Sequence, residues 1–100
     1  AVYCSNHGGR QLDHGRGSAE VLPEIVDAVA GRAKIAVDGS FSRGSDIVKA
    51  ICMGADWVGL GRLYCYGLAA AGAAGIERVI ELLEEEVKEV MGLLGVTSLS

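Results

Sequence analysis

In Ser5-Asn6-His7-Gly8-Gly9-Arg10-Gln11-Leu12-Asp13, an imidazole and a guanidinium stand three residues apart with two glycines between them. Gly8 and Gly9 lack a Cβ and accept backbone angles that other residues avoid. The chain can therefore turn tightly and aim His7 and Arg10 into one small space. Histidine is the side chain that most readily gives and takes a proton near neutral pH. Arginine is a planar fork that grips a carboxylate through two parallel hydrogen bonds. The preceding run, Ala1-Val2-Tyr3-Cys4, is apolar and reads as a buried strand. A base beside a carboxylate clamp at a strand end points to proton abstraction next to an acid group. An isolated His and Arg would read more simply as a core histidine and a surface arginine. The glycine spacer and the strand-end position favour the site.

Two further strand ends carry glycine: Asp38-Gly39-Ser40 and Gly59-Leu60-Gly61-Arg62. Backbone amides uncovered by glycine can cradle a phosphate, and an arginine can complete the grip. Each is weak alone, since glycine also serves simply to close a tight turn. In succession behind a His/Arg strand end they suggest one phosphate-binding end. Gly59, Gly61 and Gly67 do not have the spacing of a dinucleotide fingerprint.

The elements that must position these residues alternate. Ser18 is a plausible N-cap for a helix marked by Leu22, Ile25, Val26 and Val29, with Pro23 in its first turn and Gly31 as its stop. Residues 34–38 read as a second strand. Ser45 would cap a helix with Ile47, Val48, Ile51 and Cys52 on one face, closed by Gly54. Residues 57–60 read as a third strand, and 64–72 as a short Ala-rich helix. Ile76, Val79, Ile80, Leu83, Val87, Val90 and Leu94 then form one apolar stripe that ends at Gly95. A stripe this short predicts a helix packed on a sheet rather than a coiled coil. Strands alternating with helices at this spacing predict an α/β fold with a parallel sheet and helices on its outer face.

Charge and composition narrow the function classes. Of thirteen acidic residues, six lie in residues 77–89, while residues 1–75 carry seven acids and seven bases. The acidity thus belongs to one helix face, and no basic stripe offers a nucleic-acid surface. Cys4, Cys52 and Cys65 are odd in number and lack C-x-x-C spacing, which reads as free thiols in a reducing, cytoplasmic setting and as no metal site. No run is long enough to span a membrane. The chain begins without Met inside an apparent strand, so it is expected to be a fragment.

The nine residues Ser5–Asp13 resemble the active-site signature of the FMN-dependent α-hydroxy-acid oxidases and dehydrogenases, the family of glycolate oxidase, lactate oxidase and mandelate dehydrogenase. The resemblance continues through Asp38-Gly39-Ser40, Gly61-Arg62 and Tyr66-Gly67-Leu68-Ala69, and so covers nearly the whole chain. It implies that residues 1–100 are the C-terminal part, the last three βα units, of a (β/α)8 TIM barrel. It also implies FMN as cofactor and oxidation of an L-2-hydroxy acid to a 2-oxo acid. His7 would be the catalytic base and Arg10 the partner of the substrate carboxylate. Whether His7 takes the α-carbon proton or the hydroxyl proton is left open. Asp38 would face the ribityl side of the flavin. Gly39 and the Ser40 backbone would approach its phosphate, and Gly61 and Arg62 would grip it. Family members commonly have glycine at the position of Ser40, arginine at that of Ser42 and proline at that of Leu63. Arg43 stands one position after the family's flavin-contacting arginine.

Two rival readings remain at this level. One is a non-redox phosphate-binding barrel module, the other a structural piece without activity. On the barrel reading, the partner is the missing N-terminal part of the same barrel, whose substrate-binding tyrosines and flavin-side lysine lie upstream, and the 100 residues alone would be inactive. Three strands would leave two unpaired edges and invite self-association. Val2, Cys4, Ile35, Val37, Val58 and Leu60 are expected to lack cover on one face or the other.

Overall fold

The computed structural model describes residues 1–100. Strands β1 (Val2–Cys4), β2 (Ile35–Val37) and β3 (Trp57–Val58) form one parallel sheet in the order β1-β2-β3. Helices α1 (Ser18–Val29), α2 (Gly44–Cys52) and α3 (Arg62–Leu94) each follow a strand. Parallel neighbours cannot be joined by a hairpin, so each pair needs a crossover, and α1 and α2 supply it. The strands are shorter than the apolar runs suggest. Ladder bonds continue past them, from the Asp38 amide to the Cys4 carbonyl at 3.1 Å and from the Gly59 amide to the Val37 carbonyl at 2.8 Å. Beyond β2 the chain then turns away, with φ of 116° at Gly39 and 59° at Ser40.

The register sorts the sheet into two faces. Cys4 pairs with Val37, and Val37 with Val58; Tyr3 pairs with Ala36, and Ala36 with Trp57. Side chains alternate along a strand, so these two rows point to opposite sides. Cys4, Ile35 and Val37 are buried in a core with Leu22, Phe41, Ala50 and Ala55, beneath α1 and α2. The expectation that Cys4, Ile35 and Val37 lack cover is therefore corrected. The uncovered row is Tyr3, Ala36 and Trp57, with Tyr3 59% and Trp57 55% exposed. Full burial of a side chain such as Leu22 or Val37 is worth roughly 1.5–3 kcal/mol, which makes this one-sided core the main cohesive element.

The helix starts also differ from the sequence reading. Ser18 is the first residue of α1 rather than its cap, and Gly17 holds the cap position without a side-chain bond. The Ser18 hydroxyl instead donates to the Asp38 carbonyl, and its own carbonyl accepts the Cys4 thiol at 3.3 Å. Pro23 lies in the body of α1, beyond its first turn. Its missing N–H leaves the carbonyl of Ala19 without an intrahelical donor, and Ala19 is exposed to solvent. Helix α2 begins at Gly44, ahead of Ser45. There the Asp46 carboxylate accepts the amides of Ser42 at 3.2 Å and Arg43 at 3.0 Å.

Helix α3 has two arms, 62–70 and 73–94, separated by non-helical angles at Ala71 and Gly72. The arms meet at Gly67 and Gly75, where a Cβ on either residue would overlap the other's backbone. The long arm packs mainly on α2 rather than on the sheet. Its stripe is buried at Leu83, half-buried at Ile76, Val79, Val87 and Val90, and exposed at Ile80 and Leu94. Gly95, at φ 71°, ends it as expected. No helix is long and apolar enough to cross a membrane.

β1 and β3 each have one edge without a neighbour, and the Tyr3–Ala36–Trp57 face has no layer over it. Such edges and faces recruit further chains. Residues 1–100 produced alone are expected to associate, giving a mass above the monomer by multi-angle light scattering at micromolar concentration. A stable monomer with a cooperative thermal transition would show that the open face and edges are tolerated.

Candidate active site

A cleft of about 630 Å³ opens at the ends of the three strands. The loop after β1 contributes His7, Gly8 and Arg10 to its wall, and the loop after β2 contributes Asp38, Gly39 and Ser40. The start of α3 contributes Gly61, Arg62, Tyr64 and Cys65. Seven of the eight residues expected from sequence to bind or react thus line one space. The exception is Arg43. Its guanidinium pairs with Glu86 of α3, at 3.0 Å and 3.2 Å to the two carboxylate oxygens. The Gly44 amide also donates to Glu86, at 2.7 Å.

The turn that aims His7 is built by the residues before it. His7, Gly8 and Gly9 have φ of 54°, 64° and 74°, three successive residues in the left-handed region. Glycine adopts it freely, whereas a residue with a Cβ is disfavoured there by roughly 1–2 kcal/mol. Local hydrogen bonds hold the turn. The Asn6 side-chain oxygen accepts the Gly8 amide at 2.9 Å, and the Ser5 hydroxyl accepts the His7 amide at 3.1 Å. The Asn6 carbonyl takes the Gly9 amide at 3.0 Å, and the His7 carbonyl takes the Arg10 amide at 3.2 Å. Asn and Ser suit such turns because their short side chains bond to backbone two residues on. The Ser-Asn pair that opens the motif is therefore turn chemistry, and a spacing argument centred on His7 and Arg10 passes over it.

The other wall favours an anion. Gly61 precedes α3 and offers no side-chain cap. The first amides of α3, which like those of any helix lack intrahelical acceptors, therefore meet no side-chain cap, and the helix dipole puts partial positive charge there. Arg62 stands beside them, its terminal nitrogen 3.4 Å from where a Cβ on Gly8 would lie. Gly39 brings its backbone close to α1, and a Cβ there would overlap the Ser18 hydroxyl. Ser40 holds φ 59°, an angle for which glycine is the natural residue.

Asp38 is the one carboxylate on the cleft wall. Its Oδ2 accepts the Tyr3 hydroxyl at 2.9 Å, and its buried Oδ1 has no donor within the chain. The hydrogen bond to Asp38 raises the Tyr3 pKa, with burial and the carboxylate charge adding in the same direction. Burial, and then the Asp38 charge, likewise push the Cys4 thiol up, so it stays a small apolar group. All three cysteines are free. Sequence reasoning took Tyr3 for core and left Tyr64 and Cys65 without a role. Alternation along β1 could have separated Tyr3 from the core face carrying Cys4.

A family model described as FMN-dependent dehydrogenase matches residues 1–100. The chain is 48% identical over 99 residues to an L-lactate oxidase of Nostoc sp. and to an L-lactate dehydrogenase of Alcaligenes faecalis. These alignments cover 99% of this chain and 27% and 26% of the relatives, so the chain spans about a quarter of their length. A solved mandelate oxidase variant with a monooxide FMN adduct superimposes with a TM-score of 0.94 at 47% identity, over 98% of this chain and 31% of that one. The signature turn, the glycine-bearing strand ends and the match along the whole chain agree: this chain belongs to the FMN-dependent dehydrogenase family.

Proposed function

We propose that residues 1–100 form the last three βα units of a (β/α)8 barrel whose whole is an FMN-dependent enzyme oxidising an L-2-hydroxy acid, such as lactate, to the 2-oxo acid. The observation that carries this reading is the convergence of His7, Arg10, Asp38, Gly39, Gly61 and Arg62 on one cleft. The remaining strands of the barrel would pair the free edges of β1 and β3 and cover Tyr3 and Trp57. Three unpaired cysteines favour a reducing, cytoplasmic setting.

The residues present suit FMN. In barrels, phosphate commonly sits at the loops after the last two strands and beside a helix N-terminus. Here the uncapped start of α3, Arg62 and the Gly39–Ser40 backbone would hold it. The donorless oxygen of Asp38 suits a ligand hydroxyl. When bound, FMN supplies a two-electron acceptor, chemistry that amino-acid side chains lack. Arg43 is not carried into this reading, because Glu86 already holds its guanidinium.

The chain's own residues would orient the substrate and move a proton. Arg10 pairs with the carboxylate and fixes the α-carbon relative to His7. Oxidation of the alcohol to the ketone removes two electrons and two protons, and His7 accepts one of those protons. A positioned base is worth about 10²–10⁴-fold in rate.

In the complete barrel, His7→Gln should lose turnover by at least that factor while flavin absorbance is retained. Wild-type turnover in this variant would remove His7 from the role of base. Arg10→Lys should raise KM strongly, since a point charge does not reproduce bidentate pairing. Steady-state kinetics with an unchanged kcat/KM would show that Arg10 does not meet the carboxylate. Arg62→Ala should weaken FMN more than substrate, because a hydrogen bond to a charged group is worth about 1.5–3 kcal/mol. Equal loss of flavin from variant and wild type on dialysis would count against that grip.

A further inference from the structure

Tyr3 has no part in the reaction described above, yet its hydroxyl is bonded to a carboxylate on the cleft wall. The sheet makes room for that bond. Ala36, the register partner of Tyr3, carries only a methyl group. Gly59 carries none, and a Cβ there would stand 2.7 Å from the Tyr3 hydroxyl and 3.3 Å from Asp38 Cβ. The phenol is protonated throughout the neutral range and donates to Asp38 Oδ2 at 2.9 Å, a bond that raises its pKa further. With Oδ2 tied to Tyr3, the carboxylate is fixed in rotation. Its acceptor capacity is still unspent, since Oδ1 is shielded from water and meets no donor. A buried acceptor in that condition is unfavourable until something donates to it.

We infer that Tyr3 is a positioning residue: its hydroxyl sets the Asp38 carboxylate to accept a hydrogen bond from the polyhydroxy chain that joins ring and phosphate in FMN. This rests on the FMN reading of the cleft. Asp38 directly precedes the Gly39–Ser40 turn assigned to the phosphate, so a hydroxyl near the phosphate end is the donor within its reach. Tyr3 then contributes to preference for a flavin bearing that chain over the bare ring. It does so without touching substrate.

The test uses the complete barrel stripped of flavin, titrated with FMN, riboflavin and lumiflavin, the last being the ring system without the polyhydroxy chain. Fluorescence quenching reads each affinity. Tyr3→Phe should weaken FMN and riboflavin alike, by roughly ten-fold for one hydrogen bond to a charged acceptor, and leave lumiflavin unchanged. Gly59→Ala, which displaces the hydroxyl, should do the same, and it serves if Tyr3→Phe does not fold. Unchanged FMN affinity in the variants overturns the role of Tyr3. Equal weakening of lumiflavin overturns it too, because packing alone would then explain the loss. A wild-type barrel that binds none of the three flavins overturns the FMN reading itself and this inference with it.

Discussion

The close approach at Gly39 is the constraint on which the rest of the site depends. The Ser18 hydroxyl at the start of α1 donates to the Asp38 carbonyl at the end of β2, and no side chain at position 39 could fit between them. This one contact joins three things. It fixes where α1 begins, and it holds Cys4 of β1 through the thiol-to-carbonyl bond. It also lies beside the positive φ angles that the chain takes after β2, at Gly39 and Ser40 on the cleft wall. Asp38 is thereby held by its backbone on one side and by Tyr3 on the other. Removing glycine here would displace α1 or the cleft wall, because the interior beneath them is packed.

Two of the three non-glycine residues with positive φ stand at the same end of the sheet, and the third, Ala30, ends α1. His7 and Ser40 both occupy the left-handed region on the cleft wall, each without the freedom of glycine. Such positions persist only where surrounding structure holds them, and they gather at functional sites. At His7 the hold is local, from Ser5, Asn6 and the glycines that follow. At Ser40 it is the Gly39 junction. The helical layer and the packed strand rows are the stable support against which this strain is carried.

Much of this was legible in the sequence because periodicity and strand-end position are local signals. The alternation of strands and helices and the Gly95 stop follow from patterns within a few residues, whereas the convergence of His7, Arg10, Gly61 and Arg62 was implied by the succession of glycine-bearing strand ends and by the family resemblance. What the sequence hid was tertiary. Ser18 and Ser45 look like caps by residue type, but both lie inside their helices, and the Ser18 hydroxyl donates to the Asp38 carbonyl instead of accepting a helix amide. The sequence does not separate the covered row from the open one because both are apolar, and only the packing of Leu22 and Ala50 tells which one is inside. Local pattern gives Gly67 and Gly75 no role. Their reason is a backbone crossing created by the kink at Ala71 and Gly72.

The acidic helix supplies the last link, through one residue. Three of its six carboxylates pair with neighbours on the same exposed face, Glu81 and Glu85 with Arg78 and Glu84 with Lys88, and exposed pairs of this kind contribute little. Glu86 differs because it reaches across to the loop that follows the cleft wall. It accepts the Gly44 amide and both sides of the Arg43 fork, and a Cβ at Gly44 would overlap its backbone. The Gly44 amide, and then Arg43, hold its pKa below the ordinary carboxylate range, so it remains ionised. The consequence for the cleft is subtractive. Glu86 holds Arg43 at the start of α2 and leaves Arg10 and Arg62 as the cations on the cleft wall. Arg10 follows β1 and Arg62 opens α3 beyond β3, with Asp38 just past the end of β2 between them.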